Sequence, residues 1–528
     1  MSNSNSGAAR PAAGAHARLV AAGIFLSRIS GLIREAVFAT YFGTTLFADV
    51  FRAALRLPNV LQNLLGEGTL SASFVPVYSE LLHQGKKEDA GRVASAVFAI
   101  LLIIAAVISL VGVAAAPLLV DVFLPGFEGQ RRALAIPAIR IIFPMTGILV
   151  LSAWALGILN SHRKFFIPYV APVLWNAAMI ATLLLLGGRM DLQHLVIALS
   201  WGALIGGVLQ LAIQLPWVFR LERNLELKWA DTRLPQTREV MRNGWPAIIG
   251  RGVVQISAWI DAILASLLSV GAFAVLTYAT TFYLLPISLF GMSVAASELP
   301  DLARQRLQGA EVVRERVRAG LRQIAVFVVP SVVAFLVLGD VIIAALYQHG
   351  RFTHVDTMVT YFVLAGFTLG LQASTSTRLL SSTFFALHDT RRPAIFAAIR
   401  VTITGGLGYA LMIPFERYLH FEGRALGVLG LSLAAGAGAW VEWGLLRQAL
   451  HKRIGSVGIG AGTTVRLYGA ALSAGAVARA INWLLPDLSP ILVGMLVVGP
   501  FGVLYFVLAH AFGLPEASSV VRRVLKRV

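Results

Sequence analysis

IFLSRISGLIREAVFATYFGTTLFADVFRAALRLPNVLQNLLGEGTLSASFVPVYSE, residues 24–80, is the stretch that decides the class of this chain. It is apolar enough to enter a bilayer, yet it carries Arg28, Arg34, Glu35, Asp49, Arg52, Arg56 and Glu67. An ionisable group at membrane depth is costly, so such residues usually face a water-filled cavity and mark a transport path. Several arginines on one hydrophobic span point to an anionic cargo.

Composition agrees. Of 528 residues, 57% are hydrophobic and 13% charged, against about 25% charged in soluble domains. No alternating segments of strand length recur, so a barrel is excluded and the chain reads as an all-α integral membrane protein. Spans of roughly 20 residues number about fourteen. They are expected near 17–42, 46–66, 92–121, 133–159, 166–187, 193–219, 245–268, 273–298, 321–346, 358–386, 394–415, 425–446, 464–485 and 490–513. Residues 67–82 continue the second span as an amphipathic segment. Residues 1–16 read as a disordered cytoplasmic tail rather than a cleaved signal. With no cysteine, disulfides, thiolate catalysis and cysteine metal sites are all excluded.

Basic residues set the orientation. With the N-terminus in the cytoplasm, the loops around 83–92, 160–165, 220–242, 303–322, 388–392 and 447–453 face inward with both tails and hold most of the loop Lys and Arg. The opposite loops hold only Arg131, Arg132, Arg189, Arg351, Arg417 and Arg424. This is the positive-inside pattern of a multi-pass protein of a bacterial cytoplasmic membrane with both termini cytoplasmic. It also accounts for the formal net charge of +18: short basic loops meet anionic lipid head groups, and nucleic acid is not an expected partner.

The chain repeats itself weakly. ILNSHRKFFIP (158–168) resembles FALHDTRRPAI (385–395), and VFLPGF (122–127) resembles LYQHGRF (346–352), at an offset of about 225 residues. At nearly that offset Arg28 falls opposite Arg251, in the apolar run WPAIIGRGVVQISAWIDAILASLL (245–268). The expected plan is two pseudo-symmetric six-helix lobes with a site between them, a recurrent transporter design. The first lobe covers 17–220 and a cytoplasmic linker 221–244. The second lobe covers 245–450, and 451–528 holds two further helices and a basic cytoplasmic tail.

These residues carry a family resemblance. SRISGLIREAVFATYFG and ADVFRAALRLPNVLQNLLGEGTLSASFVPVYSE resemble the opening of the MurJ/MviN lipid II flippases of the MOP exporter superfamily. LYQHGRFTHVD (346–356), ALHDTRRP (386–393), ILNSHRKFFIP and GGVLQLAIQLP (206–216) are similar to that family's later motifs. The resemblance implies two lobes around a cationic cavity, and a groove by the last two spans for a lipid tail. The implied cargo is lipid II, an undecaprenyl-diphosphate-linked disaccharide-pentapeptide moved from the inner to the outer leaflet. Cell-wall synthesis machinery is an implied partner. Carried over by position, Arg28 and Arg34 are the arginines of the first span, Asp49 the acidic residue after it, and Glu67 the glutamate of the GEG turn. Where the family carries two further arginines, this chain has Gln62 and Thr281. Either the cavity holds its anion with other residues, or the cargo is another polyprenyl-linked oligosaccharide of the O-antigen type.

Arginine suits a diphosphate because it stays charged and its fork of donors matches two phosphate oxygens. Arg28, Arg34 and Arg251 are therefore expected to converge on the diphosphate, with Arg52 as a candidate fourth ligand; a lateral interface would equally suit Arg52 and Arg56. Glu35 reads as a charge partner of Arg34, Asp261 as the counter-ion of Arg251, and Asp49 as either a gate residue or an N-cap. Gln62, Thr281, Glu67, Asp49 and Asp261 complete the expected gate and cavity set. Gly31, Pro58, Pro246 and Pro286 mark bends that alternating access would use. Two energy sources fit the reset step, the membrane potential acting on cavity charge and a coupling cation; a chloride suits the empty cationic site. No cofactor is expected. The ten histidines show no metal spacing, a Walker A sequence is lacking, and the longest loop is basic and coreless, so enzyme chemistry is not expected. A MATE-like cation-coupled exporter would want acidic groups where this chain has arginines.

Overall fold

The computed structural model describes residues 9–222, 225 and 229–518, with side chains left out at 9–21, 229–230, 247, 249–251, 253–254, 257 and 306. An apolar chain without water must satisfy its amides within each segment, and helices do so. The first helix, α1, runs Ala9–Phe42, beginning inside the tail expected over 1–16; residues 1–8 lie outside the described residues. It is followed by α2 (Leu46–Leu65), α3 (Glu67–His83), α4 (Lys87–Ala114), α5 (Ala116–Phe123), α6 (Gly129–Ser161), α7 (Phe166–Leu186), α8 (Leu192–Leu221) and α9 (Pro235–Ser266). The second set is α10 (Ala272–Pro286), a π-helical turn (Ile287–Met292), α11 (Ser293–Gln305), α12 (Ala310–Val337), α13 (Gly339–Tyr347), α14 (His354–Thr368), α15 (Leu371–Ala386) and α16 (Arg391–Tyr418). A two-residue hairpin (His420–Phe421 with Arg424–Ala425) leads to α17 (Gly427–Ile454), α18 (Ala461–Leu484) and α19 (Pro490–Ala511). The chain divides into two units, Met1–Ile263 and Leu264–Val528.

Among the described residues nine helices are long and apolar enough to cross a membrane, or ten when the bent pair α14–α15 is one span. The remaining expected spans fall on α1, α2, α9 and α18, which carry ionisable residues in their apolar runs. Three spans expected to be continuous are broken: 358–386 divides into α14 and α15, and the other two form a pair. Span 92–121 becomes α4 and α5, interrupted at Ala115, and span 321–346 becomes α12 and α13, interrupted at Leu338. The breaks occupy matching places, because element order repeats from unit to unit at the offset seen in sequence. The α4–α5 pair matches α12–α13, α6 matches α14–α15, and α7 matches α16. The counterpart of unbroken α6 is bent by 42° between Thr368 and Leu371.

Local geometry repeats as well. Arg163 and His388 both adopt the left-handed conformation, at φ 59° and 57°. Lys164 donates its N–H to the Leu159 carbonyl at 2.8 Å and Arg163 to Asn160 at 2.9 Å. Asp389 donates to Phe384 at 2.9 Å and His388 to Phe385 at 3.0 Å. Both are Schellman caps, which satisfy the last carbonyls of a helix before the chain turns. In each unit the following helix then contains a buried proline, Pro168 or Pro393.

The first core gathers Phe74, Tyr78, Val93, Val97, Trp154 and Ile158 from α3, α4 and α6. At its edge Tyr78 donates to Glu222 at 2.9 Å and its oxygen lies 3.0 Å from His162 Nε2. In the second unit α18 and α19 pack on α12 through Ala470, Ala471, Ala474, Phe501 and Tyr505. Small residues there let backbones approach, the usual way helices associate in lipid. Leu110, Val111, Leu185, Met495 and Val503 remain exposed, an apolar exterior that only a bilayer covers well.

Candidate functional site

Six residues separate Arg28 from Arg34, which on a helix turns their side chains about 120° apart. The two occupy different surroundings. Arg28 is exposed and lines a cavity of about 360 Å³ together with Ser27, Gln62, Glu67, Tyr169 and Gln210. Contributions from α1, α2, α3, α6, α7 and α8 place this cavity wholly within the first unit. Gln62 and Glu67 also line an adjoining hollow with Asn63 and Ser71. The position where the family arginine is missing therefore faces the same space as Arg28.

Arg34 is built into the wall. Its Nη1 donates to Asn176 Oδ1 at 3.1 Å, its Nη2 donates to Glu35, and its guanidinium lies 4.7 Å from the Trp175 ring centre. Asn176 in turn donates to Ser30 at 2.8 Å, and Trp175 is held by a 3.0 Å bond to the Ala203 carbonyl. Glu35 takes a second arginine on its other oxygen: Arg52 donates to it and rests over Phe38 at 4.2 Å. All three groups are largely withdrawn from solvent, with Glu35 5% and Arg52 8% exposed. Glu35 is thus the shared partner of two arginines.

Asp49 is fully buried in the first turn of α2, with Arg131 Nη1 3.9 Å away. The N-cap position belongs to Thr45, so the capping alternative for Asp49 is corrected. Arg56 donates to the Ala258 carbonyl at 3.1 Å and has Asp261 as its charged neighbour. The side chain of Arg251 lies outside the described residues. Its backbone shares α9 with Asp261 ten positions on, about 15 Å along the axis, and their expected pairing lies outside the described residues. Thr281 donates to the Thr277 carbonyl at 3.0 Å, within its own helix.

One charged cluster was not among the expected residues. In the second unit Arg400 Nη1 donates to Glu442 at 2.9 Å and Nη2 to Ser374 at 3.5 Å, while Ser374 and Tyr283 share a hydrogen bond of 2.6 Å. The sequence signal was an arginine inside the α16 span with a glutamate inside the α17 span. Among the described residues no three His, Asp or Glu side chains gather to hold a metal ion.

Comparison with known proteins follows from this architecture. A family model described as lipid II flippase MurJ matches residues 38–502. The lipid II flippase MurJ of Burkholderia cenocepacia is 31% identical over 435 residues, covering 81% of this chain and 82% of that protein. A probable lipid II flippase MurJ of Rhizobium meliloti is 30% identical over 519 residues, covering 95% and 94%. A solved lipid II flippase MurJ in an inward closed conformation shares the fold at a TM-score of 0.75 and 24% identity, covering 96% of this chain and 99% of that one. An inward-facing MATE family multidrug transporter of the MOP superfamily does so at 0.63 and 20%, covering 83% and 94%.

Proposed function

Because this chain belongs to the lipid II flippase MurJ family, we propose that it moves lipid II from the inner to the outer leaflet by alternating access, with the diphosphate drawn in by its arginines. The observation that carries the site assignment is Arg28, exposed inside an apolar span and lining a polar cavity with Gln62 and Glu67. In this reading Arg28 meets the diphosphate directly. Arg34 and Arg52 hold Glu35 between them in the wall, and Arg251 supplies a further ligand from α9. Gln62 replaces an arginine with a hydrogen-bonding amide, so it orients the cargo without adding charge. Glu67 and Asp49 act as gate residues, and Asp261 balances Arg56.

In this reading both termini lie in the cytoplasm, where the basic loops would meet anionic lipids. Membrane potential acts on the cavity charge at about 2.3 kcal/mol per charge per 100 mV, which supplies the reset; a coupling cation is the competing source, and chloride fits the unloaded arginines. The test is rescue of a bacterium depleted of its own lipid II flippase. Wild type is expected to restore growth, and Arg28→Ala to abolish rescue at equal membrane levels. Arg251→Ala that rescues fully would remove that residue from the ligand set. Failure of well-inserted wild type, with rescue instead of an O-antigen flippase mutant, would reassign the cargo.

A further inference from the structure

Helix α15 carries an arginine that the reading above does not use. Arg378 lies eight residues from the end of α15 at Ala386, about 12 Å along the axis, well inside the helix. It is exposed, and among the described residues it makes no hydrogen bond or ion pair. Its electrostatic neighbours are Arg400, Glu442 and Tyr283. On α15 it stands four residues after Ser374, and so on the same face, and Ser374 accepts from Arg400 at 3.5 Å.

The cluster holds two arginines and one glutamate. Glu442 is 5% exposed and is held by Arg400, so this one carboxylate stands beside two arginines. The fold does not need this arrangement. In the first unit the matching helices α6 and α8 are joined by neutral groups, with Gln210 and Gln214 donating to Ser152 at 3.2 and 2.7 Å. A pair of arginines inside the spans, kept where packing is served by amides elsewhere, calls for an anion. The hydroxyls of Ser374 and Tyr283 add neutral donors beside it.

We propose that Arg378 and Arg400 form a second anion site, within the C-terminal unit, that binds the phosphate groups of the transported polyprenyl diphosphate. The proposal rests on the flippase reading and deepens it. It offers the second unit a cationic ligand where Thr281 has lost one. Arg378 is the direct ligand, Arg400 the second donor, and Glu442 tunes the charge.

The test uses the purified full chain and titrates it with undecaprenyl diphosphate, with inorganic pyrophosphate and with undecaprenol, in both wild type and Arg28→Ala. Arg378→Gln is expected to weaken binding of undecaprenyl diphosphate about tenfold, the scale of one hydrogen bond to a charged group. Arg378→Lys is expected to retain most of it. Glu442→Gln raises the local charge and is expected to tighten binding several-fold, a gain that damage to the fold does not produce. Unchanged binding in Arg378→Gln overturns the site, and so does loss in Arg378→Gln without any tightening in Glu442→Gln. Equal binding of free pyrophosphate and the lipid assigns the cluster to a soluble anion and overturns the lipid assignment. Rescue of a flippase-depleted strain separates the two readings. If wild type fails to rescue, the flippase reading falls. If wild type and Arg378→Gln rescue equally and bind equally, only the second site falls.

Discussion

Arg34 and Asn176 stand 142 residues apart in sequence and meet at 3.1 Å, so the arginine that reads as a free ligand in a single span is in fact the clasp between α1 and α7. Asn176 is 4% exposed and serves two partners at once, accepting from Arg34 and donating to Ser30.

Replacing Asn176 by Ala leaves both partners short and is expected to cost about 1–3 kcal/mol, read as a lowered Tm in detergent. Rescue of growth should fall as Arg34 loses its orientation. An unchanged Tm with full rescue would show that the clasp contributes nothing.

Glu35 separates two arginines, and Glu35→Gln leaves both without their carboxylate. Loss of one partner of a buried ion pair costs about 3–5 kcal/mol, so this variant should melt far below wild type. Adding Arg52→Met removes one of the stranded charges and should recover part of the Tm. A double variant no better than the single one would refute the charge explanation.

His162, in the turn after α6, is half-buried; burial and the nearby Lys87 ammonium push it below its ordinary 6.5. The unfolded chain then binds more protons than the folded one in the window just below that value. Stability rises with pH through this window and falls as pH drops through it. Melting followed across pH 5 to 8 should show this slope, and His162→Gln should flatten it. A steeper slope in the variant would place the titrating group elsewhere.

Gly370 marks where α15 crosses α17: a Cβ there would sit 2.4 Å from the Gly436 Cα. Because the obstacle is backbone, Gly370→Ala must push the helices apart and is expected to cost about 1–3 kcal/mol. Gly406, inside α16, has no atom within 4 Å of its would-be Cβ. Gly406→Ala should be neutral or stabilising by about 0.5–1 kcal/mol. Equal Tm values for the two variants would contradict the close crossing.

Much of this was legible in the residues. Apolarity and basic loops read as a multi-pass helical protein, and the weak match of ILNSHRKFFIP to FALHDTRRPAI proved to be one turn built twice, down to the left-handed Arg163 and His388. Helical spacing already implied that Arg28 and Arg34 face different ways. Partners were another matter. Glu35 looks local to Arg34, but its second partner, Arg52, lies on the next helix, and only packing brings it there. Asp261 likewise has Arg56, on α2, as a charged neighbour, and nothing in the spacing of the two residues along the chain announces it. Arg378 was passed over because Ser and Thr neighbours on α15 mask an arginine within a moderately polar run.

The π-helical turn at Ile287–Met292, directly after Pro286, has a consequence for how this chain tolerates changes in length. Such a turn holds one residue more than the α-helical turn it replaces. Removing a single residue between 287 and 292 lets that turn close as an ordinary α-helical one, and the residues beyond it keep nearly the same phase. Glu298 and Asp301, which both receive Arg316, then stay on their face of α11. The same deletion a turn later, between 293 and 297, has no slack to draw on: it rotates everything beyond it by about 100° and opens the bridge to α12. The turn is thus the one place along this span where a residue is spare.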